Sequence, residues 1–464
     1  MQDTNVSTVR KALTINLDDS KFGAFAEIGA GQEVARYFFQ AGRASSTVAK
    51  SMSAYDKIFS DAIYGKGSRF VSRERLEKML KHEYSLLIDR LQNIRGDSTC
   101  FFAFADTVAT SSHEDNATGC HGWMGVTFQI RPNGPLNTII LHVRMLDRMR
   151  LQQTSALGVL GVNLIFSALY MTDLVTEFID SLTENLGDDR VDIDYLQFNG
   201  PDLEHVDNRR VGIELVSRNL TKSVLFAPKG QVIQAYDALY KHPVIVHRGT
   251  FRPITQISDD IMKAGYEQMK GSLGKGTVEP FRILEMTMQS ASKVDSEDIQ
   301  DYLHRVDTIA PLGHHVLISK FSLYSDLKEY LRRCTDQKIV ILAGASILEK
   351  LYNEQFYNHL QGGILQAFGT LFDNDTQLFI YPFKSDKICQ TAHSFHPDSH
   401  LDYLHKHLLE NTKIVDLSNC DDLDTTIDSA KVRELLEQNN DQWKKFVPKK
   451  SAEVIIKNHY FQKK

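Results

Sequence analysis

A mixed α/β fold in two lobes is what this sequence predicts, and three observations predict it. Strand-like and helix-like runs alternate through the second half, the signature of βαβ units with a parallel or mixed sheet. The first half mixes amphipathic helices with strands joined by a tight Arg131-Pro-Asn-Gly-Pro135 turn, which suits a mixed sheet. A chain of 464 residues exceeds the roughly 100–200 residues of one domain, and a glycine- and lysine-rich segment, KGSLGKGT at 270–277, offers a linker. The expected organisation is an N-terminal α/β lobe over 1–269 that opens with helices, a C-terminal α/β lobe over 278–415, and a charge-polarised helical tail over 416–464.

The elements follow in order. Residues 13–17 read as a short strand. Val34, Ala35, Phe38 and Phe39 recur at helical spacing, and 45–61 reads as a serine-rich helix. Ser72 caps a helix whose stripe is Leu76, Met79, Leu80, Leu87 and Leu91. Strands are expected at 99–104, 125–130 and 138–143, and a long apolar helix at 157–182. Further strands are expected at 191–198, 211–216, 223–226 and 243–247. Beyond the linker, strands at 281–288, 316–318, 338–342 and 377–381 alternate with helices at 296–305, 324–334 and 347–360.

Composition excludes several function classes. Net charge is −6, so no basic field exists to hold nucleic acid. Cys100, Cys120, Cys334, Cys389 and Cys420 form no CxxC pair, and five widely spaced cysteines read as idle thiols in a reducing compartment. The N-terminus lacks an apolar core, and the apolar stretch 156–171 falls short of the ~18–20 residues of a membrane span. A cytoplasmic protein that meets neither membrane nor nucleic acid is expected, with a small-molecule ligand as its partner.

Four stretches carry candidate chemistry. The turn AEIGAG at 26–31 opens a helical run, and such turns aim backbone N–H groups at a phosphate or carboxylate. Its Glu27, Gly29 and Gly31 are candidate cofactor contacts, and the pattern is similar to the E-x-G-x-G loop of S-adenosylmethionine-dependent methyltransferases. It departs from that family at Glu33, where a glycine is expected, and residues 21–26 make a poor leading strand. The loop GPDLEHVDNR at 200–209 is chemically the densest. Asp202, Glu204, His205 and Asp207 are candidate acid/base or catalytic groups able to hold a divalent metal, and Arg209 is a candidate anion contact. A polar cluster holds Asp106, Ser111 and the Cys120-His121 pair, where a thiol–imidazole nucleophile would need its base within reach. His393, His396, His400, His405 and His407 lie in one stretch without a known ligand spacing. The Gly-Lys of 270–277 has the wrong spacing for a phosphate loop.

Taken together, KALTINLDDSKFGAFAEIGAGQEVARYFFQAG, TVAKSMSAYDKIFSDAIYG, CHGWMG, GPDLEHVDNR and YLHRVDTIAPLGHHVLISKF resemble a family of bacterial proteins of similar length. Its members go by two conflicting names, nicotinate-nucleotide adenylyltransferase and TonB-linked receptor. The first name implies a G-x-F-x-P turn followed by H-x-G-H, whose histidines stabilise the transferring phosphate. Here HRGTFRP at 247–253 matches the turn, but Thr255 and Ser258 stand where the histidines belong. The second name implies a signal peptide and a succession of barrel strands that the sequence does not offer. The leading expectation is an enzyme or binder of a nucleotide-like or phosphorylated small molecule. A non-catalytic interaction protein and a methyltransferase are the alternatives.

Overall fold

A computed structural model of the chain describes residues 6–67, 69–111, 119–187, 189–274, 276–288, 296–384, 389–417 and 429–461. The polar loop 112–118, Lys275 and the acidic run 418–428 with Cys420 lie outside the described residues. The chain divides into two compact units, Met1–Thr221 and Lys222–Lys464. Each is an α/β unit with its own sheet.

Unit 1 begins with α1 (Thr8–Asn16), β1 (Lys21–Ile28), α2 (Glu33–Ala41), β2 (Val48–Ser53), α3 (Lys57–Tyr64) and α4 (Arg73–Arg95). It continues with β3 (Cys100–Ala109), β4 (His121–Phe128), β5 (Asn137–Met145), α5 (Arg150–Tyr170), α6 (Val175–Ser181), β6 (Val191–Asn199) and α7 (Asn208–Ser217). The strands pair in the order β2-β1-β3-β4-β5-β6. β1 is parallel to both β2 and β3, and the remaining pairs are antiparallel. One face packs Phe25, Phe104, Val126 and Leu141 against Val34, Phe38, Leu157 and Leu164 from the helices. The other face packs Ala24 and Phe101 against Leu87 of α4. Ser72 caps α4 by accepting from the Arg75 amide, as its sequence predicts.

Several expectations for this half are corrected. Residues 13–16 belong to a helix capped by Ser7, whose hydroxyl satisfies the Arg10 amide. The supposedly poor strand at 21–26 is the strand between β2 and β3. It is buried on both faces, so its residues do not alternate. The run 45–61 holds an edge strand and α3 rather than one helix. The stretch 211–216 is helical, because Asp207 accepts from the Arg209 amide and starts α7. The apolar run 157–182 is two helices. The first, α5, is long and apolar enough to cross a membrane, but 78% of its most apolar window is buried inside the protein.

Unit 2 contains β7 (Ser223–Phe226), β8 (Val232–Ile233), α8 (Ala235–Leu239), β9 (Val244–Arg248), α9 (Gln256–Ser272), β10 (Phe281–Thr287), α10 (Ser296–Ile309), β11 (His315–Ser319) and α11 (Tyr324–Cys334). Then come β12 (Ile339–Gly344), α12 (Leu348–Leu351), α13 (Gly363–Leu371), β13 (Thr376–Tyr381), β14 (Phe383–Lys384), β15 (Cys389–Gln390), α14 (Asp402–Glu410), β16 (Ile414–Asp416), α15 (Ser429–Glu437) and α16 (Lys449–Asn458). The main sheet runs β16-β13-β12-β9-β10-β11-β7-β8. Its strands from β16 to β11 are all parallel, and β7 and β8 close one edge antiparallel. The expected alternation of strands and helices is therefore present as a doubly wound sheet.

The boundary between the units does not fall at 270–277. Residues 270–272 finish α9, and the exposed turn after them leads into β10 of the same sheet. β9 pairs with both β10 and β12, so the strand assigned to the first lobe belongs at the middle of the second. A glycine-rich turn looks alike whether it links domains or elements. Nor is the C-terminal segment a separate tail. Ser451 of α16 donates to Thr308 O, and Tyr460 donates to Asp307, docking the helix on α10. Cys100, Cys120 and Cys334 are buried and in no disulfide, but Cys389 is disulfide-bonded, which corrects the reading of all five as idle thiols.

Candidate functional site

The glycine turn of unit 1 is built as its sequence suggests but is occupied by the chain itself. Glu27 lies at the carboxyl end of β1 and is buried. Its two carboxylate oxygens accept from the Val34 and Ala35 amides, at 2.9 and 3.0 Å. Those are first-turn amides of α2, the donors expected to meet a ligand. Gly29 adopts φ +100°, and a Cβ there would lie 2.0 Å from Val108 O, so this glycine serves a close approach to β3. Gly31 adopts φ +93° with its nearest neighbour, Tyr55 Oη, at 3.4 Å. Glu27 and Asp106 sit side by side in the β1–β3 ladder. Burial pushes the Glu27 carboxyl up to about 7 despite its two amide donors. Burial, then the neighbouring Glu27, also raises Asp106 well above the usual carboxylate range.

The 200–209 loop does not converge on one centre. Asp202 accepts from Arg131 Nη1 and Asn137 Nδ2, both at 2.9 Å, which ties it to the β4–β5 turn. Those hydrogen bonds, that of Asn137 foremost, hold its carboxyl below the usual range. Asp207 caps α7 and takes up the Arg209 amide. Glu204 is exposed. His205 and Asp207 line a 340 Å³ depression with Asp173, Glu177, Arg210 and Glu214, from which Asp202, Glu204 and Arg209 are missing. Asp202 and Asp207 thus hold a turn and a helix end in place.

The histidines are also dispersed. His405 bridges Tyr352 Oη and Ala392 O inside the unit, His393 pairs with Asp416, and His400 pairs with Glu354. Among the described residues no group of three or more His, Cys, Asp and Glu side chains is placed to hold a metal. Cys120 points into the core while its neighbour His121 bonds to His142, so the thiol and imidazole do not pair.

The larger cavity lies in unit 2, at about 810 Å³. Counting the parallel strands of unit 2 in chain order from β9, their spatial order is third, second, first, fourth, fifth, sixth. That is the doubly wound arrangement in which the crossovers reverse direction between the first and fourth strands. Here those strands are β9 and β12, and ligands of such sheets sit beyond the carboxyl ends at this reversal. The cavity is there. Its wall takes Arg248 and Gly249 from β9 and its following turn, Met286–Met288 from β10, and Ala343 and Gly344 from β12.

Four arginines reach this cavity: Arg248, Arg252, Arg305 and Arg433. Arg248 is held by Glu285, its partner in the β9–β10 ladder, through Nε–Oε2 at 2.6 Å and Nη2–Oε1 at 3.3 Å. Ser319 and Thr287 also donate to this fully buried carboxylate. The guanidinium lies 4.8 Å from the Tyr324 ring centre, so the carboxylate and the ring together hold it in place. Asp301 accepts from both Arg252 Nε and Arg305 Nη2. Arg305 Nη1 donates to Thr250 O at 3.3 Å, while its Nε is buried with no hydrogen-bond partner. Burial pushes the Tyr324 phenol up to about 12, so it stays protonated at neutral pH. Met286, Met288, Ile347 and Tyr381 give the cavity an apolar side.

The signal for this site was in the sequence as HRGTFRP, but its meaning depends on β9 being the first parallel strand of unit 2. Arg305 and Arg433 lie about 50 and 180 residues further on. Nothing local marks them as neighbours of Arg252.

No family model matches the chain, and no curated protein matches it. Among solved structures, the competence/damage inducible protein CihA from Agrobacterium tumefaciens is similar over 34% of this chain and 94% of its own, at 16% identity and a TM-score of 0.26. A competence or damage-inducible protein from Enterobacter asburiae is similar over 36% of this chain and 99% of its own, at 12% identity and 0.27. A competence-damaged protein (CinA) superfamily protein from Escherichia coli is similar over 36% and 91%, at 14% identity and 0.26.

Proposed function

We propose that unit 2 binds a phosphorylated, nucleotide-like small molecule in the cavity between the carboxyl ends of β9 and β12. The observation that carries this reading is the arginine cluster, above all the buried Nε of Arg305 that lacks an acceptor. A buried N–H without a partner costs about 1–3 kcal/mol, and a phosphate oxygen would supply that partner. The guanidinium fork matches a phosphate in shape and charge, and the nearby methionines and tyrosines offer an apolar surface to a ring. Side chains must do this work. The turn after β9 holds one glycine, Gly249, and α9 starts only at Gln256, so the glycine-rich backbone cradle of dinucleotide sites is not formed. Glu285 and Asp301 are already engaged by arginines, which leaves them poorly suited to a divalent metal.

The methyltransferase alternative rested on Glu27 and its glycines, and Glu27 is spent on α2. The interaction-protein alternative has one observation behind it. Tyr55, Ile58 and Phe59, close in sequence at the start of α3, are all more than half exposed.

Calorimetric titration of the full chain tests the proposal. Nucleotides and sugar phosphates are compared with their dephosphorylated counterparts, with inorganic phosphate as the minimal probe. Phosphorylated compounds should bind and their counterparts should not. Arg305→Ala should weaken binding by about 10- to 100-fold, the value of a charge-assisted hydrogen bond of 1.5–3 kcal/mol. Equal binding of nucleoside and nucleotide, or an unchanged affinity in that variant, would sink it.

A further inference from the structure

The four arginines of the unit 2 cavity are not equivalent, and their difference gives the cavity a direction. Arg248 has little left to offer a ligand. Its Nε and Nη2 donate to Glu285, and its Nη1 donates to Ser322 O at 3.4 Å. Arg252 donates only from Nε, to Asp301, so both of its amino groups lack an acceptor among the described residues. Arg305 keeps its buried Nε open. Arg433, from α15, has no acceptor among the described residues for any part of its fork. The open donors thus belong to Arg252, Arg305 and Arg433. Exposure runs the same way. Met286 and Met288 are buried, whereas the Arg252 side chain is 44% exposed and Arg433 is half-buried. The methionines form the deep end, and Arg252 stands at the mouth.

Charge limits how many phosphates fit there. The four guanidinium groups meet three carboxylates. Glu285 and Asp301 are paired with arginines, and the exposed Asp298, two turns before Arg305 on α10, lines the same cavity. Four positive charges less three negative ones leave one. A phosphate monoester carries about −1.5 to −2 near pH 7, which already exceeds that surplus. Each further phosphate adds negative charge with no guanidinium left over, and it meets Asp298 and Asp301 as like charges.

We propose that the ligand of unit 2 is a phosphate monoester, a monophosphate taken up without a metal ion in preference to the corresponding di- and triphosphates. This rests on the reading of unit 2 as a site for a phosphorylated molecule. The apolar part enters first, toward Met286 and Met288, and the phosphate stays at the mouth on Arg252, Arg305 and Arg433. Arg248 is a positioning residue that braces β9 against β10 through Glu285. Asp298 sets the limit on phosphate number. Glu285 and Asp301 are held by arginines, so neither is open to share a divalent ion with a polyphosphate.

Calorimetry on the full chain tests this with AMP, ADP and ATP, each with and without magnesium, and with phosphate, pyrophosphate and tripolyphosphate as base-free probes. Affinity should fall along each series, by about tenfold from one phosphate to three, and magnesium should not reverse the order. Arg433→Ala should weaken both AMP and inorganic phosphate about tenfold. Asp298→Asn should strengthen ATP binding about threefold or more while changing AMP binding less. ATP binding as tight as AMP or tighter, a magnesium requirement, an undiminished affinity in Arg433→Ala, or an unchanged preference in Asp298→Asn would overturn this inference and leave the broader reading standing. Failure of every phosphorylated probe to bind would overturn both.

Discussion

The two units meet the same topological opportunity in opposite ways. In unit 1, the chain crosses from β1 to β2 on one side and then to β3 on the other, so its reversal lies between β1 and β3. In unit 2, the reversal lies between β9 and β12. At the first, Glu27 inserts its carboxylate against the amides of α2, and Asp106 packs beside it. At the second, arginines project and an 810 Å³ cavity remains. A doubly wound sheet thus offers a site at its crossover, but the side chains at the strand ends decide whether it is filled from within or left for a ligand.

The largest effect is expected where the open site has its floor. Glu285→Ala should destabilise unit 2 by about 3–5 kcal/mol, because the half-buried Arg248 would lose its carboxylate partner and Ser319 and Thr287 their acceptor. Urea unfolding measures it, and a loss under about 1 kcal/mol would mean that the pair does not hold β9 to β10. The matching change in unit 1 is Glu27→Ala, which strips acceptors from two buried amides. It should cost about 2–4 kcal/mol, and Glu27→Gln, which keeps an acceptor oxygen, should cost less. If Glu27→Ala instead created a phosphate site on α2, the contrast between filled and open crossovers would be sharpened, with calorimetry as its readout.

The two glycines of the unit 1 turn should separate. Gly29→Ala combines a strained φ with a clash against Val108 O and should cost about 3 kcal/mol. Gly31→Ala carries the strain alone and should cost about 1–2 kcal/mol. Equal losses in thermal unfolding would show that the close approach to β3 does not constrain the turn.

A further contrast is in pH dependence, where the units should differ in sign. Glu27 has a folded-state pKa of about 7, above its ordinary value of 4.5, so the folded protein binds the extra proton between them. Its contribution to stability is greatest below about 4.5 and is lost as pH rises through 7, by at most about 1.4 kcal/mol per unit. In unit 2, burial opposes the ionisation of Asp373, but hydrogen bonds from Thr376, Lys328 and Arg332 outweigh it and lower its pKa. That contribution is present above its ordinary value of 3.8 and is lost on acidification. Unfolding followed by probes in each unit should show unit 1 gaining stability as pH falls from 7 to 5, and Glu27→Gln should reduce that gain, the remainder coming from the raised carboxyls of Asp106 and Asp192.

Much of the fold was legible because local rules suffice for it. The Ser72 cap and the stripe Leu76, Met79, Leu80 and Leu87 marked α4, and the 324–334 helix and the alternation around it marked unit 2. Legibility failed where burial overrides pattern. β1 is buried on both faces and does not alternate, and 211–216 has strand-like composition but follows a helix cap. The site was less legible still. The densest polar loop, 200–209, was read as a ligand cluster, yet its Asp202 and Asp207 are used up on Asn137, Arg131 and the Arg209 amide.

What the sequence determined by itself was the class: an α/β chain of two sheets, with a long helix started by Ser72 and turns made by glycine. These depend on hydrophobic spacing and on side chains that bond within a few residues. Tertiary structure decided the unit boundary at Thr221, the filling of one crossover and the opening of the other. It also brought Arg252, Arg305 and Arg433 to one cavity. Strand order and register set those distances, and both follow from how whole sheets bury their faces rather than from any short run of residues.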